Sequence, residues 1–136
     1  MATPAPVERP APEPARPDPA VLRRMAESEL EGGISRFVAA VVGKQPVTAA
    51  TLYASSDSRR AKFLEFLTQS QPEAAMLGAE PSAIGESSAE AVFRLNFRWR
   101  GNFGVAQRKD ARFIATARRA GDTWDFESIR LLENLP

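Results

Sequence analysis

A chain of 136 residues with no cysteine and no histidine is long enough for one domain. It cannot form a disulfide, a Cys or His zinc site, a cysteine nucleophile or a histidine-based triad. Its 18 basic and 17 acidic residues leave a formal net charge of +1, so any pull toward nucleic acid or anionic membrane must come from a local patch. No run is apolar enough to cross a bilayer, and no basic segment followed by an apolar one opens the chain, so no secretory signal is expected. A cytoplasmic protein and the soluble part of a membrane-tethered one both fit.

Seven of the eleven prolines precede residue 20. Residues 1–18 are therefore expected to be a disordered Pro-rich leader or linker, an extended semi-rigid spacer with too little apolar surface to fold. Its Pro14-Ala15-Arg16-Pro17 is a minimal PxxP of the kind chance supplies in any such segment. A long helix follows. Asp18 can cap it and Pro19 suits its first turn. Val21, Leu22, Met25, Leu30, Ile34, Phe37, Val38 and Val41 recur at helical spacing. Gly32-Gly33 interrupts this pattern at about 1 kcal/mol per glycine relative to alanine, and marks either a bend or the start of the packed helix. Gly43 suits a left-handed C-terminal residue and Pro46 blocks continuation. A short helix is predicted over residues 48–54, burying Leu52 and Tyr53. A third, capped by Asp57, carries Ala61, Phe63, Leu64 and Leu67 on one side.

From residue 74 the period changes to two. Residues 75–86 read as a strand that Pro81 interrupts. Residues 89–100 alternate cleanly, with Ala91, Phe93, Leu95, Phe97 and Trp99 on one face and Arg94, Asn96, Arg98 and Arg100 on the other. A turn at residues 101–104 leads to a second long strand over 106–119, with Ala111, Phe113, Ala115 and Ala117 on its core face. A five-residue loop pairs Phe93 with Phe113, Arg94 with Arg112, Asn96 with Asp110 and Arg98 with Arg108. A hairpin at Ala120-Gly121 pairs Ala117 with Trp124 and Ala115 with Phe126. In the last strand, 123–132, Ile129 and Leu131 reach the core face only if a bulge sits near Ser128. The predicted fold class is α+β: N-terminal helices packed against a curved, mostly antiparallel four-stranded sheet, cone-shaped, over residues 19–136.

Helices that precede a meander of long strands, the clean alternation over 89–100, and a last strand opening Gly121-Asp122-Thr123-Trp124 and running to Ile129-Arg130-Leu131 together resemble the nuclear transport factor 2 (NTF2)-like superfamily. The resemblance implies a curved sheet wrapped around helices to form a pocketed cone. It also implies a choice among isomerase-like enzymes, non-catalytic dimerisation and binding modules, and domains appended to kinases or membrane-anchored proteins. The chain departs from the catalytic members in lacking histidine and any obvious inward-facing aspartate.

Arg94, Arg98, Arg100, Arg108, Lys109, Arg112, Arg118 and Arg119 lie in two neighbouring strands and their ends, with Asp110 the one acid among them. Like charges facing each other across strands are unfavourable. Solvent with Asp110, Asp125 and Glu127 can compensate them, and so can an anionic partner. Arg94, Arg98, Arg100, Arg108 and Arg112 are the expected partner-binding set. Single-stranded nucleic acid would want exposed aromatics beside them, whereas Phe93, Phe97 and Trp99 point the other way. Phe93, Phe97, Trp99, Phe113 and Trp124 are core, or the wall of an apolar pocket in a cone. Catalytic candidates reduce to Tyr53, the sole tyrosine, and Asp110, whose parity among arginines favours a salt-bridged carboxylate over a general base. No metal and no cofactor is expected. The expected function is a non-catalytic protein-binding or oligomerisation module on a flexible tether, its partner another protein with an acidic surface or its own copy. The alternative is a small-molecule-binding or isomerase-like enzyme with an apolar cone pocket. Anion or polynucleotide binding through the arginines is a third reading.

Overall fold

The structure, a computed structural model, describes residues 18–133; apart from Asp18, the leader expected over residues 1–18 lies outside the described residues. Helix α1 (Pro19–Val42) begins as the sequence requires: the Asp18 carboxylate accepts from the Ala20 N–H at 3.0 Å, and Pro19 occupies the first turn. It continues unbroken through Gly32-Gly33; Gly33 is where the helix meets the Phe126 ring, and a side chain there would collide. At its end Gly43 keeps φ −76°, and it is Lys44 that takes the left-handed conformation, φ +55°. The Gly43, Lys44 and Gln45 N–H groups donate to Ala39, Val41 and Ala40 carbonyls, which satisfies the terminal acceptors of the helix.

Helix α2 (Pro46–Leu52) starts on its proline, two residues earlier than expected, and ends where Tyr53 turns extended. Helix α3 (Arg60–Ser70) starts later than an Asp57 cap would place it. Asp57 is not the cap, because its carboxylate is taken by the Tyr53 hydroxyl. The buried side of α3 is Phe63, Phe66 and Leu67, while Ala61 is exposed.

The strands are β1 (Glu73–Ala79), β2 (Ala83–Ile84), β3 (Ser88–Arg100), β4 (Ala106–Ala120) and β5 (Thr123–Leu131), with a single 3-10 turn at Asn102–Gly104. Pro81, which has no N–H to donate, separates β1 from β2, and both pair with β3. The antiparallel path runs β1-β3-β4-β5. Every predicted β3–β4 pair is present: Phe93 faces Phe113, Arg94 faces Arg112, Asn96 faces Asp110 and Arg98 faces Arg108. The last hairpin differs. Its two-residue loop is Gly121-Asp122, so Ala120 faces Thr123, Arg119 faces Trp124 and Ala117 faces Phe126. The pairing has moved by two residues, which preserves the faces. Glu127 is the extra residue of a bulge, since Ala117 faces Phe126 and Thr116 faces Ser128; beyond it Ile129 and Leu131 are buried.

Helix α1 lies across the concave face of this sheet, and the side chains between them are aromatic. Phe37, Phe63, Phe93, Phe97 and Phe113 are all fully buried. Phe93 stacks on Phe113 at 5.3 Å between ring centroids, Phe37 lies 5.3 Å from Phe113, and Phe63 meets Phe113 edge-on at 5.5 Å. Small residues of β4, Ala111, Ala115 and Ala117, make room for these rings. Burying each ring contributes about 1.5–3 kcal/mol, and each ring pair about 0.5–1.5 kcal/mol more.

Candidate functional site

Strand parity divides the candidate residues between two surfaces. On the convex face of β3–β4, the guanidinium-bearing Arg94 and Arg112 stand directly opposite each other, as do Arg98 and Arg108, all exposed. Arg112 is paired with Glu133 at 2.6 Å. Arg94, Arg98 and Arg108 carry no ion pair among the described residues. Between the two rows, Asn96 donates to the Asp110 carboxylate at 2.6 Å across the expected pair, and Asp110 forms no ion pair among the described residues where a salt bridge was expected. Arg100 turns to the loop and donates to the Gly104 carbonyl at 2.9 Å. Arg118 pairs with Glu127 at 3.0 Å, and Arg119 donates to the Gly121 carbonyl.

The concave face is filled. Of the expected pocket-lining set, Phe93, Phe97 and Phe113 are buried in the aromatic core, with Phe37 and Phe63 occupying the space in front of them. Trp99 and Trp124 do not share a wall. Trp124 is 4% exposed and packs beside Val21, Met25 and Glu29 near the start of α1. Trp99 is half-buried, edge-on to Phe66 at 4.8 Å, and borders a cleft with Lys44 just past the end of α1. A helix of 24 residues is about 36 Å long, so the two indoles belong to opposite ends of the molecule.

That cleft is open, about 670 Å³, and lies at the free end of the β3–β4 pair. Arg98, Trp99, Arg100, Gln107 and Arg108 form its sheet side; Lys44, Ser70 and Gln71 form its helix side, with Glu73 as its one acid. Sequence reasoning missed Lys44, Ser70, Gln71 and Gln107, which come from segments that only the tertiary fold brings together.

Tyr53 is a brace. It is 3% exposed, its hydroxyl donates to Asp57 and accepts the Leu131 N–H at 3.0 Å, and the next residue, Ala54, donates to the Ile129 carbonyl at 2.9 Å. The hydroxyl ties the α2–α3 connection to the end of β5, with a donor and an acceptor role both used. Burial, reinforced by the bond to Asp57, raises the phenol well above its ordinary range. The sign follows: the unfolded chain loses this proton near pH 10 and the folded chain does not. The stability contribution is complete below about pH 10 and falls as pH rises beyond it. Tyr53→Phe is expected to cost about 1–2 kcal/mol in urea unfolding at neutral pH, by leaving the Leu131 N–H without its acceptor. The variant should also show a shallower alkaline loss of stability than the parent; equal slopes would refute the assignment.

No protein-family model matches the sequence, and no curated protein matches it. Solved structures do. The chain is similar to a protein with a cystatin-like fold from Caulobacter vibrioides, at TM-score 0.56 and 16% identity, over 79% of this chain and 90% of that one. It is similar to an NTF2-like superfamily protein from Salmonella enterica, at TM-score 0.54 and 13% identity, over 84% and 94% of the two chains. A candidate dehydratase of the NTF2-like family from Streptomyces avermitilis aligns at TM-score 0.53 and 10% identity, over 79% and 95%.

The chain has the NTF2-like fold.

Within that fold this domain has its cone interior occupied by phenylalanine. Its cross-strand arginine rows stand on the convex face, and Lys44, Arg98, Arg100 and Arg108 line the cleft. No helix among the described residues is long and apolar enough to cross a membrane. No cluster of acidic side chains among them has the arrangement of a metal site.

Proposed function

We propose that this NTF2-like domain is a non-catalytic partner-binding module that engages an acidic protein surface through the convex face of β3 and β4. The fold itself supports either a binding module or an enzyme. One observation carries the choice: two cross-strand rows, on either side of the Asn96–Asp110 pair, set arginine against arginine, Arg94 with Arg112 and Arg98 with Arg108. In the free domain Glu133 offsets Arg112, whereas the Arg98–Arg108 row carries no ion pair among the described residues and is unfavourable by a fraction of a kcal/mol. A carboxylate-rich surface reverses that sign, because each incoming carboxylate meets two guanidinium groups held at fixed spacing by a rigid sheet. The same arrangement sets partner choice by charge, since a basic surface is repelled.

The test uses polyglutamate as a defined acidic probe, with light scattering at low and high salt to follow association of the domain with its own copies. Polyglutamate is expected to bind at low salt and weaken steeply as salt is added. The double variant R94E/R112E should bind at least about tenfold more weakly. A monomer that binds the probe with the same affinity at both salt concentrations, or a variant indistinguishable from the parent, removes this reading.

A further inference from the structure

Three non-glycine residues among those described have left-handed backbone: Lys44 at φ +55°, Gln71 at φ +42° and Phe103 at φ +64°. This conformation is disfavoured for any residue with a Cβ and is usually left to glycine. Lys44 and Gln71 follow the ends of α1 and α3, where a glycine would satisfy the backbone equally well. The sequence even has a glycine next door, at Gly43, yet it is lysine that makes the turn. All three strained positions stand at one place. Lys44 and Gln71 line the cleft at the free end of β3–β4, and Phe103 tops the loop between Arg100 and Ala106, which line it too.

Phe103 is fully exposed, and its loop is braced by the Arg100 guanidinium on the Gly104 carbonyl at 2.9 Å and the Gly101 N–H on Val105 at 2.8 Å. A strained loop that presents an aromatic ring to solvent gains nothing within the free domain. Arg98, Arg100, Arg108 and Lys44 line the same cleft as the half-buried indole of Trp99, four cations against the single carboxylate of Glu73.

We infer that this cleft is a recognition site for an acidic peptide segment of a partner protein, one with an apolar side chain flanked by carboxylates. The apolar side chain packs on Trp99 beneath the Phe103 loop. The carboxylates meet the arginines and Lys44, and the Gln71 and Gln107 amides bond the peptide backbone. The cleft is open, so an extended chain can pass through it, and one indole is too few for the successive stacking that a single strand of nucleic acid uses. The inference rests on the acidic-partner reading for the sign of the partner's charge, but it places the specific contacts at the cleft and off the Arg94–Arg112 row.

The experiment follows the indole N–H signals of the ¹⁵N-labelled full chain, which has only Trp99 and Trp124. The probe is the capped peptide Asp-Glu-Leu-Phe-Asp-Glu, with its Asn/Gln counterpart and an oligothymidylate of equal charge as comparison ligands. The Trp99 indole and the Lys44 and Gln71 amides should shift saturably with the acidic peptide, and Trp124, at the far end of α1, should not. Lys44→Gly should raise the thermal midpoint by a few degrees and weaken the peptide at least about tenfold, the signature of strain retained for recognition. The R94E/R112E double variant should still show the Trp99 shift, which supports the cleft even if the polyglutamate test fails. The inference is overturned if Trp99 does not shift, if Trp124 shifts equally, if the double variant abolishes the Trp99 response, or if the Asn/Gln peptide or the oligothymidylate binds as tightly. Polyglutamate binding together with no Trp99 response to the acidic peptide would leave the convex-face reading standing and this one refuted.

Discussion

Phe113→Ala is expected to cost about 3–5 kcal/mol of folding stability, the range for deleting a fully enclosed aromatic ring. The ring is fully buried and lies at the meeting point of the core, with Phe37, Phe63, Phe93 and Phe97 at centroid distances of 5.3, 5.5, 5.3 and 6.1 Å. Four rings lose a partner at once, and their backbones belong to different elements: Phe37 to α1, Phe63 to α3, Phe93 and Phe97 to β3. The site cannot collapse without moving helix against sheet, so most of the cavity remains. A domain of this size has about 5–15 kcal/mol in total. Urea unfolding should therefore show the midpoint falling by about a fifth or more with little change in slope. Phe103→Ala, on the exposed loop, should change stability by no more than about 0.5 kcal/mol. A Phe113→Ala loss below about 1 kcal/mol would mean that the rings do not interlock as described.

The aromatic core was readable from the sequence because strand parity is a local signal. Phe93, Phe97 and Phe113 alternate with arginines, and the five-residue loop then fixes which faces which. The bulge was legible for the same reason: Ile129 and Leu131 could reach the core only if one residue was skipped, and Glu127 is that residue. The arginine rows follow from the same parity. Features that depend on residues far apart in the chain were not legible. Asp57 looks like a helix cap, but its carboxylate answers a tyrosine four residues before it whose hydroxyl also serves Leu131. Turn chemistry placed the last hairpin one residue early, at Ala120-Gly121, because the loop must include Asp122 for Ala120 and Thr123 to pair. The cleft draws Lys44, Gln71, Trp99 and Arg108 from four separate segments, and nothing in the spacing of those residues links them.

Adjacent glycines in α1 are expected to behave in opposite ways. Gly32→Ala should stabilise by up to about 1 kcal/mol, since the added methyl meets nothing within 4 Å and alanine is the better helix former. Gly33→Leu should cost about 3 kcal/mol, the upper end of the usual overpacking penalty, and Gly33→Ala a smaller net amount. At Gly33 a Cβ would stand 2.2 Å from two ring carbons of Phe126 and 2.7 Å from its Cγ, so the whole ring must give way. Retreat is constrained. Phe126 faces Ala117 in the β4–β5 pairing, its N–H donates to the Glu29 carboxylate at 3.3 Å, and the Arg36 guanidinium covers its ring at 5.5 Å. Swinging outward separates the ring from Arg36 and from α1 together. The helix thus tolerates two poor helix formers in succession, and only the second is required by the crossing of α1 over β5. A double-mutant cycle in urea isolates the contact: in a Phe126→Ala background Gly33→Ala should turn from harmful to favourable, a coupling of about 1–3 kcal/mol. If Gly33→Ala stabilises the parent as much as Gly32→Ala does, α1 does not cross the sheet at Phe126, and the placement of every residue along that helix must be reconsidered.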